Sequence, residues 1–319
     1  FYASTLANHP EVQHIMKVSL LEKMTAFSSS TEQQQQPQPP PGVVCLTCYL
    51  GNSCRFNEAT FNQLATRYVL ECKGYEIPRV ELRGSATNDL LATLETNSRL
   101  YAFLREKHIP RYEKIFVRLA DSGQQAEEDA IVELILPPGF DEETTGRYPL
   151  VIELYGAPGT QMVRDKYEMN HWSSHLTTDR EYIYARVDVR GSSHQGVRYM
   201  HQLYRNVGHL EVDDLIEVVW YLRNNLTYID PTRVAVWGWS YGGYFSLMSL
   251  IREFDNRLFA CAIAVAPVSN WMYYDSAYSE RYLGVPDNRN LYSYEDSNLL
   301  DNALLLKKKK FLIVFGTSD

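Results

Sequence analysis

Ser240 is the residue best placed to do chemistry. It stands in Gly238-Trp239-Ser240-Tyr241-Gly242, a Gly-x-Ser-x-Gly run. The apolar, β-rich stretch Val234 to Trp237 precedes it, and a helix-like stretch, Tyr244 to Ile251, follows. A serine between a strand and a helix is forced onto a sharp, strained turn that presents its hydroxyl to a substrate. Glycine fits at the flanking positions, where a side chain would not. The bare pattern is short enough to arise by chance, so the weight rests on its strand-before, helix-after context. The alternative is a structural turn with no chemistry.

With that context the motif reads as the nucleophile elbow of an α/β-hydrolase. In that fold the triad runs Ser, then Asp or Glu, then His. Of the eight histidines the last is His209, upstream of Ser240. The sequence therefore reads as most of a serine hydrolase that ends before its general base. It starts at Phe1, and a segment upstream is expected as well. Asp319 follows the β run Phe311 to Phe315 and a Gly-Thr-Ser turn. That is where the fold places its acid, which orients the histidine and stabilises the imidazolium. A plain turn aspartate is the alternative.

Acyl transfer also needs two donors for the developing oxyanion. One is the backbone N–H of Tyr241, the residue after the nucleophile. The other belongs to Tyr155-Gly-Ala-Pro-Gly159, as a backbone N–H or the Tyr155 hydroxyl. Past the next strand, Trp271, Tyr274 and Tyr278 stand at i, i+3 and i+7 and are expected on one helical face. Such a stripe at a strand's C-terminal end could be core or a pocket wall. As a wall it suits a compact apolar ring such as proline.

These residues need a framework. Residues 1 to about 105 read as β-rich: Arg67 to Cys72 and Arg79 to Arg83 alternate with strand period. Residues 28–42 are a low-complexity Ser/Gln/Pro loop. A helix is expected from Asn97 to Lys107. From about 106 to 319, a β pair (Ile115 to Leu119, Ala130 to Leu136) precedes strands at Pro149–Tyr155, Tyr182–Asp188, Arg233–Trp237, Phe259–Val265 and Phe311–Phe315. Strands alternating with helices predict βαβ units and a mostly parallel, doubly wound sheet. The helix Glu211 to Asn225 is expected to bury Val212, Leu215, Ile216, Val219 and Leu222. Asp213, Asp214 and Glu217 toward its start suit the macrodipole.

The net charge of −8 argues against nucleic acid as a partner. No apolar run reaches membrane-spanning length. Cys45, Cys48, Cys54 and Cys72 cluster. Zinc is one reading, weakened because the second pair is not a knuckle and no histidine is expected nearby. Disulfides Cys45–Cys48 and Cys54–Cys72 are the favoured one and imply an oxidising compartment. Cys261 is left as a buried thiol or one with a partner beyond Asp319. Asn225-Leu-Thr227 is a glycosylation sequon. Lys307 to Lys310 read as a solvated helix end or gatekeeper before an apolar strand.

Several motifs in order then resemble one family: Gly238-Trp-Ser-Tyr-Gly-Gly243, Asp188-Val-Arg-Gly-Ser-Ser193, Glu211-Val-Asp-Asp214, Val265-Ala-Pro-Val-Ser-Asn-Trp-Met-Tyr-Tyr-Asp-Ser276, Glu280-Arg-Tyr-Leu-Gly284 and Gly316-Thr-Ser-Asp319. They are similar to dipeptidyl peptidase IV and fibroblast activation protein, of the prolyl oligopeptidase group. The resemblance implies that residues 1–105 are the last blades of an eight-bladed β-propeller and that 106–319 are the α/β-hydrolase domain. It implies Ser240 as nucleophile, Asp319 as acid, and the Tyr155 hydroxyl with the Tyr241 amide as oxyanion donors. Val268, Trp271, Tyr274 and Tyr278, with the Tyr241 ring, would line a pocket for a penultimate proline or alanine. It implies a partner for Cys261 in a last helix, no metal or other cofactor, and a homodimer at full length. Location would be extracellular, secreted or on a type II anchor upstream of this chain. The family's glutamate pair for the substrate amino terminus has no counterpart here, and Gly156-Ala157 stands where the family has Ala-Gly. The expected activity is release of N-terminal dipeptides through an acyl-enzyme. The 319 residues alone are expected to be inactive and, with an exposed sheet edge, prone to aggregate. Rival readings are a post-proline endopeptidase or acylaminoacyl peptidase on the same scaffold, and a non-catalytic adhesion or channel-modulating relative.

Overall fold

The computed structural model describes residues 1–6, 9–18, 42–120, 128–253 and 258–318. Asp319 and nearly all of the 28–42 loop lie outside the described residues. The chain divides into two compact units, Phe1–Lys107 with Arg164–Met169, and His108–Val163 with Asn170–Asp319.

The first unit is antiparallel. Strands β1 (Tyr2–Leu6), β2 (His9–Val18) and β3 (Val43–Cys45) form one sheet, in that order. A second sheet is the meander β4 (Asn57–Phe61), β5 (Arg67–Cys72), β6 (Arg79–Gly84) and β7 (Leu90–Glu95). Alternation in β5 buries Tyr68, Leu70 and Cys72, and Tyr68 and Leu70 cluster with Ile15 and Leu46. Helix α1 (Ser98–Leu104) is shorter than the expected span. Both expected disulfides form, with Cα separations of 5.7 Å for Cys45–Cys48 and 5.5 Å for Cys54–Cys72. One point of the sequence reading needs correcting. Strand β2 brings His14 to this cluster, so that ligand atoms of His14, Cys45 and Cys48 lie within 4.8 Å of one another. The two sulfurs are bonded to each other, and His14 Nδ1 pairs with Thr47 Oγ1 at 3.0 Å. Disulfide sulfurs offer no thiolate to a metal.

The second unit is built on a seven-stranded sheet. Its strands are β8 (Arg111–Arg118), β9 (Asp129–Leu136), β10 (Tyr148–Leu154), β11 (Ile183–Asp188), β12 (Ile229–Trp239), β13 (Cys261–Val265) and β14 (Phe311–Val314). Their order is β14-β13-β12-β10-β11-β9-β8. The five from β10 to β14 run parallel, while β9 is antiparallel to both β8 and β11. Helices α2 (His171–Ser174), α3 (Val197–His201), α4 (Leu210–Asn225), α5 (Tyr241–Arg252), α6 (Ser276–Leu283) and α7 (Leu291–Asp296) connect them. The near-continuous apolar runs of β9 to β12 fall in the main core, with Val212, Leu215, Val218, Val219 and Leu222 of α4. Strand β13 starts two residues later than its apolar run, because the Leu258 and Phe259 amides donate to Glu253 Oε2 instead of to a ladder. At the far edge, Phe311, Leu312, Ile313 and Val314 of β14 are exposed.

Candidate active site

Ser240 lies between β12 and α5. Its backbone is at φ 57°, ψ −115°, a left-handed conformation that a non-glycine residue adopts only under constraint. Three contacts supply that constraint. The Ser240 amide donates to the Val265 carbonyl at 2.8 Å, and its own carbonyl accepts from the Tyr244 amide at 3.0 Å. The flanking glycines let α5 press onto the end of β10: a Cβ on Gly242 would stand 2.0 Å from the Leu154 carbonyl oxygen, and one on Gly238 2.3 Å from it. The turn is therefore closed from both sides of β12. The serine is left half-buried, and no described residue hydrogen-bonds its hydroxyl.

The loop after β10 carries Tyr155. Gly156 follows at φ +71°, and a Cβ there would meet the Phe245 ring at 2.6 Å, so the loop folds directly over the first turns of α5. Glycine at this position is required by that approach, which accounts for the Gly-Ala order. The loop is then pinned. Gly159 donates to the Gly191 carbonyl at 2.8 Å, and the Asp188 carboxylate accepts from the Met162 and Val163 amides, both at 2.8 Å. The Tyr241 amide opens α5, where the first-turn N–H groups have no intrahelical acceptor and the dipole favours negative charge.

The aromatic residues gather into one cluster, but not on the single helical face that their spacing predicts. Trp271 lies in a short 3-10 turn (Trp271–Tyr273), Tyr274 is extended, and only Tyr278 is on α6. They do not share one helical face. The Asn270 side chain accepts from the Met272 amide and Asp275 accepts from the Tyr278 amide, so each caps a separate helical start. The kink between the caps folds the rings together. Trp271 stacks on Tyr278 at 5.8 Å, Tyr274 meets Tyr278 edge-on at 5.4 Å, and Trp271 lies 5.5 Å from Tyr241. Val268 and Tyr155 pack, partly buried, against the same core. Burial pushes the Tyr278 phenol up, helped by the neighbouring Tyr282 and Tyr155. Trp271 is buried while Tyr274 is 42% exposed, so the cluster is core at one end and open at the other. The Tyr282 hydroxyl donates to the Pro158 carbonyl at 3.3 Å. A cavity of about 460 Å³ opens along the same loop, lined by Pro158, Gly159, Met200, His201, Tyr204, Arg281 and Tyr282.

One residue escaped the sequence reading. Glu211 is buried in the first turn of α4, and its Oε1 accepts from the Tyr241 hydroxyl at 2.6 Å and the Gly208 amide at 2.7 Å. Burial raises its carboxyl to about 7, against the opposing pull of those two hydrogen bonds. Asp214, also near the start of α4, is buried and paired with Arg190. A signal existed: 211, 215, 218 and 222 share one helical face, and the first is an acid on an apolar stripe. Asp319 lies outside the described residues. Asn225 is exposed at the end of α4, with its amide donating to the Tyr221 carbonyl at 2.8 Å. Cys261 is a half-buried free thiol, raised by that burial.

A mostly parallel sheet with a strained serine between a central strand and the helix that follows defines an α/β-hydrolase. Residues 167–319 match the model of the prolyl oligopeptidase family. The chain is 37% identical to dipeptidyl peptidase 4 of Bos taurus over 279 residues, which cover 87% of the chain and 35% of that protein. It is likewise 37% identical to prolyl endopeptidase FAP of Mus musculus, over 88% of the chain and 35% of that protein. The crystal structure of Porphyromonas gingivalis dipeptidyl peptidase 4 superposes with a TM-score of 0.81 at 28% identity, covering 99% of this chain and 40% of that one. The chain thus spans about a third of the length of these curated relatives.

Proposed function

We propose that the protein carrying this chain is a serine exopeptidase that releases N-terminal dipeptides after a penultimate proline or alanine. The observation that carries this reading is the strained Ser240 elbow tied through Val265 to the strand that leads into the aromatic cluster. Ser240 Oγ attacks the carbonyl after the penultimate residue. A histidine outside these 319 residues takes the hydroxyl proton and returns it to the departing amine, with Asp319 as its acid partner. The oxyanion is met by the Tyr241 amide and the Tyr155 hydroxyl. Water then attacks the acyl-enzyme, and its proton leaves by the same histidine. Val268, Trp271, Tyr274 and Tyr278 hold the penultimate side chain. No metal or other cofactor takes part in these steps.

Residues 1–105 are read as propeller blades and 106–319 as the catalytic domain. The disulfides support an extracellular setting, and exposure of Asn225 supports its glycosylation. No described helix is long and apolar enough to cross a membrane. The full-length protein is read as a homodimer. Similarity to prolyl endopeptidase FAP favours a second reading, cleavage after internal proline on the same site. The first test is labelling of the full-length protein with a fluorophosphonate. Labelling lost in Ser240→Ala supports the assignment. Undiminished labelling in that variant would overturn it.

A further inference from the structure

Glu211 is 0% exposed, and an ionisable group is expensive to bury. A hydrophobic residue of similar volume is often as good or better for stability alone. What a carboxylate adds is direction. Here Oε1 accepts from the Tyr241 hydroxyl, on the residue after the nucleophile, and from the Gly208 amide just before its own helix. The segment holding Glu211 packs onto α5 without an intervening side chain. Gly208 is at φ +83°, and a Cβ there would stand 2.0 Å from the Tyr244 hydroxyl.

The surroundings are unusual for a core. Among the described residues, Glu211 Oε2, the Tyr244 hydroxyl and Trp271 Nε1 are all buried with no hydrogen bond of good geometry. Such groups are rare in native interiors and point to a constraint other than stability. Their rings form one body. Tyr241 and Tyr244 lie 5.6 Å apart, Tyr244 and Trp271 5.1 Å, and Tyr241 and Trp271 5.5 Å. Trp271 in turn stacks on Tyr278. Whatever fixes the Tyr241 ring therefore fixes the back of the aromatic cluster.

We propose that Glu211 is a positioning residue for substrate selection: by holding the Tyr241 hydroxyl it sets the Tyr241 and Trp271 rings, backed by the fully buried Tyr244, as the wall against which the penultimate side chain packs. The inference rests on the dipeptidyl peptidase reading above. A proline ring needs the whole wall in register, whereas an alanine methyl touches little of it. Loosening the wall therefore costs proline substrates more than alanine substrates.

The experiment compares kcat/KM of the full-length protein for Ala-Pro and Ala-Ala anilides that share one leaving group. Glu211→Ala and Tyr241→Phe each break the hydrogen bond from one side. Each is expected to lower the Pro:Ala ratio about tenfold, mainly through KM. The double variant is expected to lose no more than either single one, because both remove the same interaction. Glu211→Gln keeps a carbonyl acceptor for Tyr241 and Gly208 and is expected to recover most of the ratio. The ratio is internal to the active fraction, so a general loss of folded enzyme does not move it. An unchanged ratio in both single variants, or additive losses in the double, overturns the inference. If Glu211→Ala does not fold, Tyr241→Phe decides alone. A wild type that labels at Ser240 but cleaves neither substrate overturns the dipeptidyl reading and the inference with it.

Discussion

The Ser240 amide donates to the Val265 carbonyl at 2.8 Å. With the Trp239–Val265 pairing of β12 and β13, this bond joins the turn that carries Ser240 to the end of β13, from which the chain runs on to Val268, Trp271, Tyr274 and Tyr278. The Ser240 turn and the aromatic cluster therefore share one support. The positive φ of 57° is held by packing that also supports the aromatic cluster.

Removing the hydroxyl and relieving the strain should have opposite effects on rate and stability. Ser240→Gly is expected to abolish turnover while stabilising the fold by about 1 kcal/mol, since glycine adopts this backbone readily. Thermal denaturation beside an activity assay checks both. A fall in Tm would show that the turn is unstrained.

Gly242 admits no side chain. Gly242→Ala places a methyl 2.0 Å from the Leu154 carbonyl oxygen, against backbone that cannot swing aside. A loss of at least about 3 kcal/mol, seen as insoluble expression or a sharply lower denaturant midpoint, is expected. Wild-type stability would contradict the close approach of α5 to β10.

If the Tyr155 hydroxyl serves the oxyanion, its removal should act on the transition state. Tyr155→Phe is expected to lower kcat by about 10²–10³ with little change in KM. Steady-state kinetics on one dipeptide substrate decides this. An effect confined to KM would make Tyr155 a ground-state contact.

Glu211 should leave a signature in the pH dependence of stability. Its carboxyl is raised to about 7 in the fold from an ordinary 4.5, mainly by burial, with Asp214 adding to the rise and Tyr241 opposing it. Between those values the folded state holds a proton that the unfolded state has released. Stability from this group is therefore full below about 4.5 and falls as pH rises toward 7, by up to about 3 kcal/mol. Chemical denaturation of wild type and Glu211→Gln across pH 4.5 to 7.5 should show this slope only in the wild type. Parallel curves would remove Glu211 as its source.

Much of the second unit is legible in the sequence because its signals are local. Apolar runs mark β9 to β13, and Gly-x-Ser-x-Gly marks the elbow. The failures are where a local signal was overridden. Spacing alone put Trp271, Tyr274 and Tyr278 on one helix, yet Asn270 and Asp275 cap two separate starts. Glu211 carries no role in the sequence reading, because periodicity places it on the buried face of α4 but does not show the Tyr241 hydroxyl that meets it across the core. Arg164–Met169 group with the first unit through long-range pairings with no local trace, among them the Gly74–Lys166 bridge and the Asp165 and Tyr167 amides donating to the Glu11 and Lys73 carbonyls.

The most direct test of the central claim is kcat/KM of the full-length protein on a Gly-Pro anilide, with its amino terminus free and acetylated. Dipeptidyl peptidase activity predicts rapid cleavage of the free form, little or none of the acetylated form, and complete loss of turnover in Ser240→Ala. Equal cleavage of both forms would contradict it in favour of an endopeptidase, and no cleavage of either would contradict a post-proline peptidase altogether.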